Sequence, residues 1–215
     1  MTGSTLKTMT ETILDDGVDE VLFYQLANVA KNNVEDARPW MMLRALDSSL
    51  SSTAGDNSET ARALPTAWRR TYKLLVGKDQ LYTQVPFDEQ HLYRYSSNRY
   101  VVDVANSVYY LLGNIGTANT IYHYYIKTTT DIAEDTSPVW PDRFHPIIAY
   151  EVAGYIMMGV DADDIFARMS PENKVAAETL RKSMEAWDYQ LQLDAQGNQI
   201  QVADTLTAGI DLGLM

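Results

Sequence analysis

Apolar and polar positions recur along this chain with two different periods, and the change of period divides it into blocks. From Glu20 to Ala37 (EVLFYQLANVAKNNVEDA), Val21, Leu22, Leu26, Val29, Ala30 and Val34 fall on one stripe, which predicts an amphipathic helix. Arg38-Pro39 ends it, because the residue before a proline is pushed out of the helical region. Pro146 to Met158 (PIIAYEVAGYIMM) is apolar nearly all round, the mark of a helix buried among other elements, and proline fits its first turn. Ser170-Pro171-Glu172 then reads as an N-cap, a first-turn proline and a first-turn acid. Val175, Ala176, Leu180, Met184, Trp187 and Leu191 make the seam of the helix that follows, with Gly197-Asn198 as its stop.

Between these helical ends the pattern is β-branched, aromatic and shorter in period. Trp40–Leu46, Tyr72–Val76, Leu81–Val85, Tyr100–Val104, Ser107–Leu112 and Ala118–Lys127 read as strands. Gly77-Lys78-Asp79, Ala105-Asn106 and Gly113–Gly116 punctuate them, the last as a hairpin turn. In Thr120–Ile126 bulky groups fall on both faces, as in a strand covered on both sides, by helices or by a neighbouring molecule. Asp47–Thr60 is small and polar, a long loop or a mobile hairpin arm.

The fold class expected is therefore α+β. An antiparallel helical bundle, made of the N-terminal helix and two or three C-terminal helices, holds an inserted antiparallel β-sheet domain and ends in an extended tail. The boundaries are 1–40 and 131–195 for the two helical parts, 41–130 for the β-rich part and 196–215 for the tail. In that tail Ile200, Val202, Leu206, Ile210, Leu212 and Leu214 often fall two apart. A tail with no partner of its own cannot bury that pattern, whereas a neighbouring sheet edge or groove can.

Charge follows the same division. The chain has 215 residues and a formal charge of −12. Residues 1–40 hold three Lys/Arg against seven Asp/Glu, residues 41–130 nine against seven, and residues 131–215 five against fifteen. Ten of the 14 tyrosines lie in the mildly basic middle block. A protein that grips DNA backbone needs the opposite overall sign. Zero cysteines exclude a disulfide scaffold, a thiolate metal site and a cysteine nucleophile. No apolar run is long enough to span a membrane, and the first residues lack a signal-peptide core, so a cytoplasmic product is expected.

No motif for catalysis or cofactor binding emerges. The chain has no phosphate-cradling glycine loop with its lysine, no G-x-S-x-G elbow and no H-E-x-x-H helix. His91, His123 and His145 are far apart in sequence, and packed roles suit them better than catalytic ones. Asp161, Asp163 and Asp164 fail the calcium-loop spacing, since Ile165 and Phe166 stand where an acid and a glycine are needed. The tyrosines suit a buried sheet or a subunit interface better than a single-strand stacking platform, because few cations are interleaved with them.

The order of blocks resembles a known family. A helix leads into Ala37-Arg38-Pro39-Trp40, a serine-rich stretch and Ala63-Leu64-Pro65; a tyrosine-rich sheet block follows, then Ile126-Lys127-Thr128. Pro141-Asp142-Arg143-Phe144-His145 opens a buried helix, with acids at Asp161–Asp164 and a long final helix. Over roughly residues 15–195 this is similar to the head–tail connector adaptors, or tail-tube adaptors (gatekeepers), of tailed bacteriophages. The resemblance implies a non-enzymatic virion protein without cofactors, assembled in the host bacterium into a ring, usually of twelve copies, beneath the portal. It implies as partners the chain itself, the portal protein, and tail or tail-tube (nozzle) proteins, with double-stranded DNA passing through unbound. The tail from Gln196 matches an extension that reaches the portal in that family. Arg38, Arg44, Arg69 and Arg70 are candidates for pairing between subunits, and Asp161, Asp163 and Asp164 for facing the channel. Repeated around a ring, the net charge gives a field that repels DNA. Another phage component (a tail-tube or head-completion protein) is the alternative, followed by a small single-stranded nucleic-acid-binding module.

Overall fold

A computed structural model describes residues 1–57, 59–158, 166 and 168–195. The chain forms two compact units, one of residues 1–42 with 130–215 and one of residues 43–129.

The first unit contains four helices among the described residues: α1 (Gly3–Leu14), α2 (Glu20–Asp36), α3 (Pro146–Met158) and α4 (Pro171–Ala195). Helices α1, α2 and α4 all pack on α3, whose apolar circumference needs cover on every side. Asp19 caps α2 by accepting the Leu22 N–H at 2.9 Å, and Ser170 Oγ accepts the Asn173 N–H at the start of α4. The buried stripe of α2 is Phe23, Leu26, Ala27, Ala30 and Val34, rotated from the expected one, so that Val21 and Leu22 face solvent. Similarly α4 buries Ala177, Met184, Asp188 and Leu193, while Val175 is exposed and Trp187 is half-buried against Phe144. Helix α1 has a threonine-rich sequence that does not advertise a helix; it forms by burying Leu6 and Thr10, and ends with Asp15 in the left-handed region.

The second unit is one curled, mixed sheet of eight strands. These are β1 (Arg44–Asp47), β2 (Ser51–Ser52), β3 (Ala61–Ala63), β4 (Trp68–Val76), β5 (Gln80–Gln84), β6 (Arg99–Asp103), β7 (Val108–Leu112) and β8 (Asn119–Lys127). Their order is β1-β8-β4-β5-β6-β7-β3, with β2 also on β8. This overturns the expected helical bundle with an inserted antiparallel sheet: the sheet has its own core and is not an accessory to a bundle. It is not antiparallel throughout, because β5 and β6 pair in parallel, Thr83 opposite Arg99. Alternation along one strand is blind to the direction of its neighbour.

Three smaller differences have local causes. Trp40 lies outside the sheet, its indole N–H donating to the Val34 carbonyl at 2.6 Å, while the Met41 N–H goes to Asp188; the ladder starts at Arg44. The segment Gly113–Gly116 is a crossover and not a hairpin turn, since β7 and β8 are not neighbours in the sheet. The polar stretch after Asp47 continues the sheet edge: between Asp47 opposite His123 and Ser51 opposite Thr120, the edge advances four residues against three, a bulge.

Candidate assembly surface

The two faces of the sheet differ in kind. One is the core of its unit: Leu74, Val76, Ile121, Tyr82, Tyr100 and Tyr109 are buried in a single cluster. His123 lies among them, its ring edge-to-face with Tyr109 and Tyr125, and its Nε2 sharing a 2.8 Å hydrogen bond with Thr71 Oγ1. Trp68 Nε1–H also donates to that hydroxyl. His123 Nδ1 and the Tyr109 hydroxyl are enclosed without a hydrogen-bond partner. Burial lowers the His123 pKa to about 4, against a weaker opposing pull from Asp47. It raises the Tyr109 hydroxyl and pushes Tyr100 up to about 12. His123 is thus a packed, neutral histidine.

The other face lies toward solvent. Register places Leu46, Tyr124 and Lys73 in one row across β1, β8 and β4, and Tyr122, Leu75 and Leu81 in the next row across β8, β4 and β5. Leu46 is 50% and Leu81 53% exposed, and the other apolar members are partly covered. Lys73 Nζ sits 5.9 Å over the Tyr124 ring, and the Arg44 guanidinium 4.4 Å over Tyr72. Register shifts at Trp68/Arg70 and Thr71/Lys73 bend β4 beneath these stacks. The result is an aliphatic and aromatic surface on which two cations lie against tyrosine rings. Such a composition suits packing against another polypeptide that brings apolar groups and acids.

The four candidate arginines are therefore in different settings. Arg38 is engaged within its own chain, 5.1 Å over Trp40 and 3.5 Å from the buried Asp188. Arg44 belongs to the outer sheet face. Arg69 and Arg70 are half-buried on β4, and Arg70 Nη2 is enclosed without a hydrogen-bond partner. Asp161, Asp163 and Asp164, and the tail residues Ile200, Val202, Leu206, Ile210, Leu212 and Leu214, lie outside the described residues. Among the histidines, His91 Nδ1 is 3.2 Å from the Asp88 carbonyl and His145 Nε2 2.6 Å from the Trp140 carbonyl. Sequence reasoning did not single out Lys73, Leu46 or Leu81; their signal was the polar-side position opposite the buried Leu74 and Tyr82 on alternating strands.

The helical unit carries a cavity of about 270 Å³ lined by Val34, Trp40, Ile147 and Met184, with polar groups at one side. Glu151, buried at its base, accepts from Arg181 at 2.7 Å and from the Tyr155 hydroxyl at 3.2 Å, and Asn33 donates to that hydroxyl. Burial raises the Glu151 carboxyl above its ordinary value against the pull of Arg181. The network is closed on itself and holds α2, α3 and α4 together. Among the described residues there is no group of three metal-ligating side chains, and no helix long and apolar enough to cross a membrane.

Compared with known proteins, the chain matches no family model and no curated protein sequence.

Proposed function

We propose that this chain is a structural subunit of a tailed-bacteriophage virion, a head–tail connector adaptor that forms a ring beneath the portal and leads the genome toward the tail. The observation that carries the reading is the outer face of the sheet, where leucines and tyrosines remain half exposed around two cations. Apolar surface of this kind on a folded unit is the usual mark of a protein–protein interface. The resemblance in block order and the acidic balance of the whole chain supply the rest, since a passage for DNA must not hold it. Its partners on this reading are further copies of itself, the portal protein and a tail or nozzle protein.

The test is to mix the full chain with the portal protein encoded in the same genome and image the product. A ring stacked on the portal is the expected outcome; a chain that stays monomeric and ignores the portal sinks the proposal. Deleting residues 197–215 is expected to leave the melting temperature within about 2 °C of the full chain, because the deletion falls after α4. The same deletion is expected to abolish incorporation beneath the head, which particle composition by gel would record. Equal incorporation of the shortened chain refutes the docking role of the tail.

A further inference from the structure

We propose that the outer face of the sheet docks on α4 of a second copy, a head-to-tail contact repeated around the ring. The proposal rests on the ring reading above and adds which two surfaces meet.

The sheet side supplies apolar rows and the cations Lys73 and Arg44. The complement is present on the same chain. Along α4, Val175, Glu178, Lys182, Glu185 and Tyr189 are all exposed, and their spacing of three and four residues places them on one narrow stripe. Val175 is 62% and Tyr189 55% exposed, so the stripe has apolar groups at both ends. The stripe holds two carboxylates against one lysine, which stands four residues after Glu178 and three before Glu185, so its own balance is acidic. The background charge points the same way: residues 131–215 hold fifteen acids against five bases, the sheet block seven against nine.

Dimensions agree. From Val175 to Tyr189 the stripe runs about 21 Å at 1.5 Å per residue. From β1 to β5 the sheet face crosses three strand spacings, about 14 Å, before side chains are added. A helix laid on a sheet face is a standard layered packing. The two surfaces are different, so the contact is heterologous and propagates until it closes, as a ring requires. The eight sheet residues and five helix residues named are fewer than the roughly 20–30 a side of a standard interface, so a single contact is weak and closure, with two contacts per copy, completes the assembly.

The chain has no cysteine, so introduced thiols report only this contact. Leu81→Cys and Val175→Cys, both at exposed side chains, are combined in one full-length chain. The chain is treated with a short bismaleimide, alone and with the portal protein. The double variant is expected to give a ladder of covalent oligomers and neither single variant to do so. Lys73→Glu is expected to weaken self-association by about tenfold or more, and adding Glu185→Lys to recover most of it. Rings that assemble without the ladder, or covalent dimers from Leu81→Cys alone, overturn this contact and leave the ring standing. A chain that is monomeric in both conditions overturns the ring itself.

Discussion

His123 is nearly fully buried, with one ring nitrogen on Thr71 and the other without a partner, so protonating it puts an uncompensated charge into the core. Its pKa falls from 6.5 to about 4 on folding. The unfolded chain therefore binds the proton first: stability is full above pH 6.5, declines as pH falls toward 4, and levels off below. The loss amounts to about 3 kcal/mol. Glu151 acts with the opposite sign, since its raised carboxyl pKa makes the folded state the better proton binder in its own window. Comparing His123→Leu with the parent chain isolates the histidine. Urea denaturation at several pH values is expected to show the parent losing stability between pH 6.5 and 4, and the variant losing about 3 kcal/mol less over that range. Equal slopes refute the assignment. The Glu151–Arg181 pair yields a second prediction. Arg181→Met leaves a buried carboxylate with only Tyr155 as donor, at an expected cost of about 2–3 kcal/mol at pH 7. Adding Glu151→Gln, which removes the charge, is expected to recover more than half of that in thermal melts.

At the scale of elements, α2, α3 and α4 and the longer strands were legible from periodicity and punctuation alone, and α3 even to its limits. What failed to show was phase, pairing and α1. The stripe of α2 is centred on the fully buried Phe23, which the expected stripe left out, and Val21 and Leu22 lie outward. In α1 a hydroxyl fills a core position: Thr10 satisfies itself on the Leu6 carbonyl at 3.0 Å, so a residue read as polar is buried. The parallel pairing of β5 and β6 depends on the crossover between them, which no strand pattern encodes. The outer sheet face was only half legible. Its tyrosines stood out in composition, but Lys73 over Tyr124 and Arg44 over Tyr72 arise from register and bulges in β4. The start of α1 allows a sharp check. A Cβ at Gly3 would lie 2.1 Å from the Ala133 carbonyl oxygen, a backbone atom that cannot swing aside. Gly3→Ala is expected to lower stability by about 1–3 kcal/mol, whereas Gly116→Ala, with open space around its Cβ, is expected to change it by less than about 0.5 kcal/mol. Matching melting temperatures for the two variants contradict the close approach of α1 to residue 133.

At the scale of the whole molecule, the outer sheet face invites a competing use. Tyr72, Tyr122 and Tyr124 beside Arg44 and Lys73 have the side chains of a single-strand stacking platform, where each base is worth about 1–3 kcal/mol. Two cations neutralise few phosphates, and the chain as a whole carries a net −12. Screening at physiological salt confines the field to about 8 Å, so a strand on this face meets chiefly the sheet unit's own near-neutral balance, nine bases against seven acids. With so small a local excess of cations, stacking by a few half-exposed rings is left without the phosphate contacts that supply most of the affinity. Fluorescence anisotropy with a labelled thymidine oligomer at 0.15 M salt is therefore expected to show no binding at micromolar protein. Lowering the salt is expected to deepen the repulsion between protein and strand, in contrast to a nucleic-acid-binding module, whose affinity climbs steeply as salt falls. Saturable binding that strengthens at low salt and disappears in Lys73→Glu would assign this face to nucleic acid and remove it from subunit assembly.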